Sequence, residues 1–597
     1  MKQIRNLAIV AHVDHGKTTM IDQLLKQTST VPDHRELAER AMDQHDLERE
    51  RGLTILAKCT AIDWEGYRIN IIDTPGHADF GGEVERVLKL VDSVVLLVDA
   101  FEGPMPQTKF VLRKSLELGL EPIVVINKVD RAQSRPHEVL DMAFELFIDL
   151  GATDEQLDFA TVYASGLEGF AMDELDEDSD DLTPLLETIV ERVPAPKGDV
   201  DDPLQMQVTT LDYDDYVGRV AIGRLFDGKM AVGDEVVRCQ RDGTRQKATI
   251  RKLFGFRGLD RVERESVEAG DIAAVAGLEG ILPGETICSP EEVRPLPMIE
   301  IDKPTVSMVV MINDSPFSGL EGEYLTSRQI KDRLDLELEH NVALEVSEET
   351  ERAEAYRVSG RGDLHLSILL EEMRREGYEM QISQPEVIYK EDDDGNRLEP
   401  VEEVIVEVDR DFAGTVIQKL NERKGELLGV ENNSDGSQRL EFEVPSRGMF
   451  GYRSEFLTDT RGTGILHTRF SGYEPFRGGL ERERNGVLIV KDQGETTRYA
   501  LHNLQERGDL FVGPGEEVYG GQIIGLNSRE TDLVVNPCKG KKLTNVRASG
   551  SDDSLILTPP TEMTLEKAIQ FIEGDEYVEI TPDSVRMRKK ELNHSFR

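Results

Sequence analysis

The segment at residues 11–18 constrains this chain more than any other feature of its sequence. It reads Ala-His-Val-Asp-His-Gly-Lys-Thr and lies between an apolar run typical of a strand and a helix-period segment. That context makes the segment a candidate phosphate-binding loop. Gly16 lets backbone N–H groups face phosphate oxygens, Lys17 supplies a cation, and Thr18 offers a hydroxyl to Mg²⁺. Ala11 replaces the first glycine of the usual pattern and keeps the side chain small.

Short apolar runs alternate with helix-period segments through the first third of the chain. The runs lie at residues 7–10, 69–72, 94–98 and 123–126. Runs that are apolar at almost every position, with Asn70 the one exception, predict strands buried on both faces, as in a parallel sheet covered by helices. We therefore expect an α/β domain over residues 1–196, with the phosphate-binding loop after its first strand.

Residues 73–77 (Asp-Thr-Pro-Gly-His) follow the second apolar run. They place a carboxylate at the carboxyl edge of the sheet, where open α/β folds bind ligands. Asp73 suits a phosphate-bound Mg²⁺, and Gly76 has a backbone N–H that can sense a γ-phosphate. His77 can orient an attacking water, because phosphoryl transfer relies on positioning and charge. Standing alone, the pentapeptide would be an ordinary Pro-Gly turn with a surface histidine.

Residues 127–130 (Asn-Lys-Val-Asp) close the last of these runs and select the base. The Asp130 carboxylate can accept the N1–H and N2 amino hydrogens of guanine, which adenine does not present. Lys128 can pack over the ring, and the backbone N–H of Ser165 is placed to reach the guanine O6. Together with Asn127, the ordered motifs predict a site for GTP and GDP.

A first switch is predicted at residues 51–55 (Arg-Gly-Leu-Thr-Ile). Thr54 is a candidate to reach Mg²⁺ and the γ-phosphate when GTP is bound. The sequence therefore gives three candidate metal ligands, Thr18, Thr54 and Asp73.

These segments resemble the signatures of the translational GTPase family. The matching residues are 11–19, 51–55, 73–77 and 127–130, with Leu53 a mild departure where isoleucine is commoner. The resemblance implies a ribosome-stimulated GTPase in which ribosomal RNA positions His77 for hydrolysis. It also adds Asp14, His15 and Thr19 to the candidate GTP-binding residues, with Asp14 a candidate for holding a monovalent cation near the phosphates.

The later sequence predicts further domains, so that the expected fold class is multidomain α/β plus β. Residues 199–299 are short, Val-rich and punctuated by glycine, as in a β-barrel. Residues 300–390 and 396–478 each predict an α+β sandwich, and residues 479–597 predict a β-rich domain with one late helix. The resemblance implies that the two sandwiches are ferredoxin-like and correspond to the third and fifth domains of elongation factor G.

The last of these domains resembles the C-terminal domain of the BipA/TypA GTPases. The matching segments are residues 485–489, 507–512, 518–525, 536–541 and 543–545. With the nucleotide motifs, the resemblance covers essentially the whole chain. It implies GTP-dependent binding to the ribosome and a role in large-subunit assembly, or in translation under stress or cold.

Charge first argues against an RNA partner, because the formal net charge is −46. Its distribution points the other way: residues 476–597 carry 17 Lys and Arg against 20 Asp and Glu, so nearly all the acidic excess precedes them. We predict RNA contacts in residues 533–550, which contain four cations and no acid. The four are Lys539, Lys541, Lys542 and Arg547. A second cluster, Arg586, Arg588, Lys589 and Lys590, is either another such contact or an ordinary solvated basic turn.

Partners and compartment follow from composition and from the resemblance. The four cysteines are isolated in sequence and predict neither a disulfide framework nor a zinc site. No segment approaches the ~20 apolar residues that a membrane span needs. We expect a cytoplasmic monomer without membrane contact, and the resemblance implies binding to both ribosomal subunits, to rRNA and to A-site tRNA.

Three alternatives remain open at this point. A LepA-like elongation factor has a similar length and domain number but a different C-terminal sequence. An RNA-binding assembly factor could use GTP only as a conformational switch. A signalling switch would dock on proteins alone and would not need the basic segment.

Overall fold

Residues 3–192 form an α/β domain around a seven-stranded sheet with the strand order β2-β3-β1-β4-β5-β6-β7. The computed structural model describes residues 3–12, 14–28, 57–74, 81–104, 106–214, 216–299, 304–339, 341–350, 352–392, 394–432, 437–480, 484–540 and 556–592. The strands are β1 Gln3–Ala11, β2 Lys58–Trp64, β3 Tyr67–Asp73, β4 Ser93–Asp99, β5 Glu121–Asn127, β6 Ala160–Ser165 and β7 Phe170–Met172. The helices are α1 Lys17–Gln27, α2 Gly81–Leu88, α3 Pro106–Glu117, α4 Pro136–Asp149, α5 Asp154–Leu157 and α6 Thr183–Arg192.

All four apolar runs predicted as strands form β1, β3, β4 and β5, which are parallel to their neighbours in this group. Alternate residues of β1 enter different cores: Leu7 and Ile9 pack with α1 and α6, whereas Ala8 and Val10 pack with α2 and α3. Because both faces are covered, almost every position of these runs is apolar, and the buried Asn70 donates a hydrogen bond to Asn6. The parallel arrangement brings the carboxyl ends of these strands to one edge.

Residues 205–288 form an antiparallel β domain. Its ten strands are β8 Gln205–Asp214, β9 Gly218–Asp227, β10 Lys229–Ala231, β11 Glu235–Cys239, β12 Arg245–Thr249, β13 Lys252–Arg257, β14 Asp260–Glu263, β15 Ser266–Glu268, β16 Ile272–Ala276 and β17 Thr286–Cys288. Eight of them pair in the order β12-β11-β17-β8-β9-β16-β13-β14, and β10 pairs with β15. Side chains from most of these strands meet in one apolar core, as in a curled sheet. The thiols of Cys239 and Cys288, distant in sequence, lie 3.9 Å apart in this domain.

The chain divides into two compact units. One comprises Met1–Asp302 with Glu339–Val342, and the other comprises Lys303–Leu338 with Ala343–Arg597. The second unit contains both predicted sandwiches and the C-terminal segment. None of the helices in the described part of the chain is long and apolar enough to cross a bilayer.

The first module of the second unit is a βαββαβ arrangement. Its elements are β18 Val306–Met311, α7 Ser327–Glu337, β19 Glu345–Glu348, β20 Ala355–Gly360, α8 Asp363–Arg375 and β21 Met380–Ile382, with the strand order β19-β20-β18-β21. Helix α7 begins at Ser327, directly after Thr326. Thr326 is the reason, because its hydroxyl accepts from the Gln329 backbone N–H while the Gln329 side chain accepts from the Thr326 N–H, a capping box.

The second module repeats the strand topology of the first, with two consecutive helices before its last strand. After β22 Glu386–Val387 and β23 Lys390–Glu391 come β24 Arg397–Asp409, α9 Arg410–Glu422, β25 Glu426–Asn432, β26 Ser437–Pro445, α10 Ser446–Met449, α11 Tyr452–Asp459 and β27 Ile465–Pro475. Its strands pair in the order β27-β24-β26-β25. Helices α9 and α11 share one core with Val404, Phe442 and Leu440 of the sheet.

The remaining elements are β28 Val487–Val490, β29 Gly494–Glu495, α12 Arg498–Leu504, β30 Gly508–Leu510, β31 Glu517–Val518, β32 Gln522–Asn527, β33 Leu533–Val535, α13 Leu565–Phe571, β34 Glu576–Ile580 and β35 Val585–Lys589. Strands β29 and β31 pair only with each other, whereas the other strands join the sheet of the first module, because β34 pairs with β21 and extends that sheet through β35 and β32. The boundary predicted at residue 479 thus separates two segments, residues 380–382 and 578–580, that are hydrogen-bonded to each other in one sheet.

The second basic cluster is part of this shared sheet. Arg588 and Lys589 are almost fully buried. The Arg588 guanidinium donates to Asp314 and Gln381, and the Lys589 ammonium lies 2.9 Å from Glu576. Because their charges are satisfied inside the fold, these two residues are not available to phosphates, and neither interpretation of the cluster, an RNA contact or a solvated basic turn, holds for them.

Candidate guanine-nucleotide site

The loop at residues 11–18 turns sharply at Gly16, the residue before helix α1. Gly16 has φ +93°, in the left-handed region that favours glycine. A Cβ atom at this position would lie 2.5 Å from the side-chain nitrogen of Asn127. Both the conformation and the close approach therefore require glycine. The turn places Lys17, Thr18 and Thr19 in the first turn of α1, where free backbone N–H groups favour anions.

Lys17 joins the loop to the end of strand β3. Its ammonium lies 2.6 Å from a carboxylate oxygen of Asp73 and donates to the Thr74 carbonyl oxygen at 2.7 Å. The Thr74 hydroxyl in turn donates to the carbonyl oxygen of Ile9 in β1. Asp73 is nearly buried. The predicted phosphate cation and the predicted metal ligand are thus neighbours.

Asn127 holds two loops together from the end of strand β5. Its amide nitrogen donates to the His15 carbonyl oxygen at 2.8 Å, and its amide oxygen accepts from the Gly166 N–H at 2.9 Å. The side chain is 1% exposed. Asn127 therefore orients the phosphate loop and the loop after Ser165 rather than presenting itself to solvent.

Lys128 crosses the phosphate loop. It has φ +65°, unusual for a residue other than glycine. Its ammonium donates to the Asp14 carbonyl oxygen and lies 2.7 Å from Asp99 Oδ2. Asp130, two residues further, is exposed, so its carboxylate is accessible to a ligand. Ser165 is buried, and its hydroxyl accepts from the Glu168 N–H.

His15 is buried beneath the loop. Its Nδ1 accepts from the Asp99 N–H at 3.3 Å, and its Nε2 lies 3.4 Å from Glu102 Oε2. Burial, with a smaller effect from His12, lowers the pKa of His15 to about 4. The imidazole is therefore neutral at physiological pH and supports the loop without adding charge.

Several predicted residues cannot be placed. Thr54, Gly76, His77, Lys541, Lys542 and Arg547 lie outside the described residues. Lys539 is described and exposed, in the loop that follows β33, and its carbonyl oxygen accepts from the Thr497 hydroxyl at 3.0 Å. The structure thus brings together Asp14–Lys17, Asp73, Asn127 and Lys128, and places Lys539 in the other unit.

Sequence reasoning missed Asp99 and Glu102, which contact Lys128 and His15. A signal was present, because Asp99 follows the apolar run at residues 94–98 just as Asp73 follows the run at residues 69–72. The rule that carboxyl ends of parallel strands meet at one edge applies equally to both.

The described residues fit a guanine nucleotide. The close approach at Gly16, which a Cβ would block, and the ammonium of Lys17 provide a site for an anion. The exposed carboxylate of Asp130 provides a site for the base. For Mg²⁺, the described residues contain no group of three or more His, Cys, Asp or Glu side chains that could hold a metal. Thr18 and Asp73 nevertheless suit it, because Mg²⁺ bound to a triphosphate takes only one or two protein carboxylates.

Family models match most of the chain. The elongation factor Tu GTP binding domain matches residues 2–195, and elongation factor Tu domain 2 matches residues 218–288. The elongation factor G C-terminus matches residues 396–484, and the TypA/BipA C-terminal domain matches residues 485–594. The architecture is therefore that of a translation-factor GTPase.

Full-length relatives agree with this assignment. The large ribosomal subunit assembly factor BipA of Escherichia coli K12 is 54% identical over 598 residues, covering 100% of this chain and 98% of that protein. The protein of the same name from Bacillus subtilis 168 is 52% identical over 595 residues, covering 100% and 97%. A crystallised protein from Thermus thermophilus shares the fold, with a TM-score of 0.57 and 18% identity over 80% of this chain and 97% of that one.

Proposed function

This chain belongs to the TypA/BipA family of GTPases, and we propose that it binds the ribosome in its GTP-bound form and assists assembly of the large ribosomal subunit. The observation that carries the proposal is the identity of more than half of its residues, over the full length, with proteins named as large-subunit assembly factors. The C-terminal match favours this function over a LepA-like factor, whose C-terminal sequence differs.

Within the GTPase domain, each part of the site has a proposed role. Gly16 and the first turn of α1, with Thr19, hold the phosphates through backbone N–H groups, and Lys17 exchanges its contact with Asp73 for phosphate oxygens. Asp130 and the Ser165 N–H select guanine. The Asn127 side chain holds the phosphate loop and the loop after Ser165 in position, and Lys128 holds the phosphate loop. The match to a GTP binding domain and the membership of a GTPase family support hydrolysis of GTP to GDP and phosphate as the activity of this domain.

Mg²⁺ would be held by Thr18, Thr54 and Asp73, and when bound it would neutralise charge on the β- and γ-phosphates. His77 would orient the attacking water, with ribosomal RNA placing it for hydrolysis. Thr54 and the Gly76 N–H would sense the γ-phosphate, so that both switches release when it leaves. Affinity for the ribosome would then depend on the nucleotide.

The RNA contact is proposed at Lys539 and, beyond the described residues, at Lys541, Lys542 and Arg547. Lys539 is exposed and its backbone is anchored, which suits a loop that follows phosphates. The proposal also includes contacts with both ribosomal subunits, with rRNA and with A-site tRNA. It further includes a monomeric state, a cytoplasmic location and action under stress or cold.

Sedimentation with ribosomes tests it. We expect the protein to co-sediment with a non-hydrolysable GTP analogue and much less with GDP, and the bound fraction to fall as salt rises. The triple variant Lys539→Glu, Lys541→Glu and Lys542→Glu should weaken binding and flatten the salt dependence. Binding that is equal in both nucleotides, or unchanged in the variant, would contradict the proposal; the latter would favour a switch that docks on proteins alone.

His77→Ala separates catalysis from switching. If hydrolysis collapses and large-subunit assembly fails with it, turnover is part of the function. If assembly proceeds normally, GTP acts only as a conformational switch for an RNA-binding assembly factor.

A further inference from the structure

Asp99 lies at the end of strand β4, outside the motifs that define the site. Its side chain is 0% exposed. One carboxylate oxygen accepts from the backbone N–H groups of Phe101 and Glu102, at 2.7 and 3.3 Å. The other lies 2.7 Å from the ammonium of Lys128 and 3.3 Å from a guanidinium nitrogen of Arg131. All four contacts come from donors, so the carboxylate is fully satisfied.

The Lys128 side chain connects Asp99 to the phosphate loop. Its ammonium is shared between the Asp99 carboxylate and the Asp14 carbonyl oxygen. Both Lys128 and Asp14 have φ +65°, a conformation that side chains other than glycine adopt only when held there. One ammonium thus joins two residues with left-handed backbone conformations, one in the phosphate loop and one directly after strand β5.

The same segment reaches the phosphate loop a second time. The Asp99 N–H donates to His15 Nδ1, and Glu102 lies at the other ring nitrogen. Residues 99–102 therefore support the loop through the His15 ring on one side and through the Asp14 carbonyl on the other. The contacts of Asp99 and Glu102 with His15, and of Asp99 with Lys128, each join a residue outside the nucleotide motifs to a residue within them.

The Asp99 carboxylate stays charged in this position. Burial acts to raise its pKa, but hydrogen bonds from Lys128 and from the Phe101 N–H outweigh burial and lower the pKa below its ordinary value. A charged, buried acceptor forms a stronger hydrogen bond to an ammonium than a neutral amide oxygen would.

We propose that Asp99 is a positioning residue for nucleotide retention: it fixes Lys128 across the phosphate loop, so that this loop and the guanine-binding loop open only together. The inference rests on the GTP site proposed above. Since the nucleotide leaves only when both loops open, the Asp99–Lys128 contact slows dissociation and has little influence on how fast nucleotide enters.

The test is the dissociation rate of a fluorescent GDP analogue from the full chain. Asp99→Asn keeps the shape and removes the charge, and we expect dissociation to become about 10- to 100-fold faster. Association should change less than about twofold. The KM for GTP should rise while kcat at saturating GTP stays near the wild-type value, a division that general loss of structure would not produce.

A matched control and a double-mutant cycle isolate the contact. Arg131→Gln removes another donor to Asp99 that does not touch the phosphate loop, and should leave dissociation within about twofold of wild type. In a Lys128→Met background, Asp99→Asn should have little further effect, because the pair acts as a unit. Unchanged dissociation in Asp99→Asn, or full additivity with Lys128→Met, would overturn the proposal.

Hydrogen exchange of the wild type gives an independent measurement should Asp99→Asn fail to fold. GDP should slow exchange of the Phe101 and Glu102 amides at least tenfold, since both donate to Asp99, and no change would overturn the proposal. Failure of the wild type to bind the GDP analogue would instead refute the GTP site itself.

Discussion

The ammonium nitrogen of Lys17 lies 2.6 Å from a carboxylate oxygen of Asp73, which ties the first residue of helix α1 to the last residue of strand β3. The two side chains are 11% and 2% exposed. Each is also the proposed partner of a different part of the ligand, Lys17 for phosphate and Asp73 for Mg²⁺. Binding therefore exchanges one internal ion pair for two contacts with the ligand.

Asp73→Asn should reduce the effect of Mg²⁺ on nucleotide affinity. The amide is a poorer ligand for a hard cation, and Lys17 no longer has an anionic competitor for the phosphates. We expect the ratio of GTP dissociation constants with EDTA and with Mg²⁺ to fall about tenfold or more. Titration calorimetry measures both constants. Asp141→Asn, an exposed change on helix α4, is the matched control and should keep the wild-type ratio; an unaltered ratio in Asp73→Asn would refute the metal role.

Asp130→Asn should change the preferred base from guanine to xanthine. The carboxylate accepts two hydrogens from guanine, whereas an amide also offers a donor to the second carbonyl of xanthine. We expect GDP affinity to fall about 100-fold or more and xanthosine diphosphate affinity to rise, because an unpaired polar group at a built site is heavily penalised. Competition against a fluorescent GDP analogue measures both. Equal loss for the two bases would mean that Asp130 supports the loop without reading the base.

Stability of the GTPase domain should depend on His15 below neutral pH. The folded pKa of about 4 lies below the ordinary value of 6.5, so the unfolded chain binds more protons between these values and stability is lost as pH falls through this window. From pH 7 to pH 5 we expect the wild type to lose about 2 kcal/mol more free energy of unfolding than His15→Asn. Trp64, the only tryptophan of the chain, lies in β2 and reports urea unfolding of this domain by fluorescence. Parallel pH dependences in the two proteins would contradict the prediction.

Arg588→Met should destabilise the second unit without affecting RNA contact. The substitution removes the Arg588 guanidinium from Gln381 and from Asp314, and we expect a loss of about 2–3 kcal/mol because Asp314 is partly solvated and keeps its ion pair with Arg352. Calorimetry should show a lowered unfolding transition, while the salt dependence of ribosome sedimentation stays that of the wild type. A flattened salt dependence would restore this cluster as a phosphate contact. Lys539→Glu gives the opposite pattern, with weaker sedimentation and an unchanged Tm.

Much of the nucleotide site could be predicted from the sequence because its parts are local. Asp73 and Asn127 each follow an apolar run, and a parallel sheet collects such strand ends at one edge whatever the order of the strands. The glycine at position 16 is likewise required by a conformation within its own loop. Asp99 obeyed the same rule and was missed, because its partner is another protein side chain and no ligand pattern includes it.

Contacts between distant segments could not be predicted in this way. Sequence patterns predicted an α+β sandwich over residues 300–390 and one late helix, but they do not say which strand edges pair. The two thiols of Cys239 and Cys288 also meet through neighbouring strands of one sheet, although each is isolated in sequence.

The sequence by itself determined that this chain contains a nucleotide-binding α/β domain and predicted which residues would face the ligand, because those features depend on residues a few positions apart. Only the tertiary structure decided the role of the basic residues near the C-terminus. Strand β34 pairs with β21, about 200 positions earlier in the chain, and this pairing buries Arg588 and Lys589 among carboxylates and amides from other segments. A count of charges along the sequence treats every side chain as solvated. In the folded chain, Arg588 and Lys589 are neutralised by internal carboxylates, and the sequence alone does not show this.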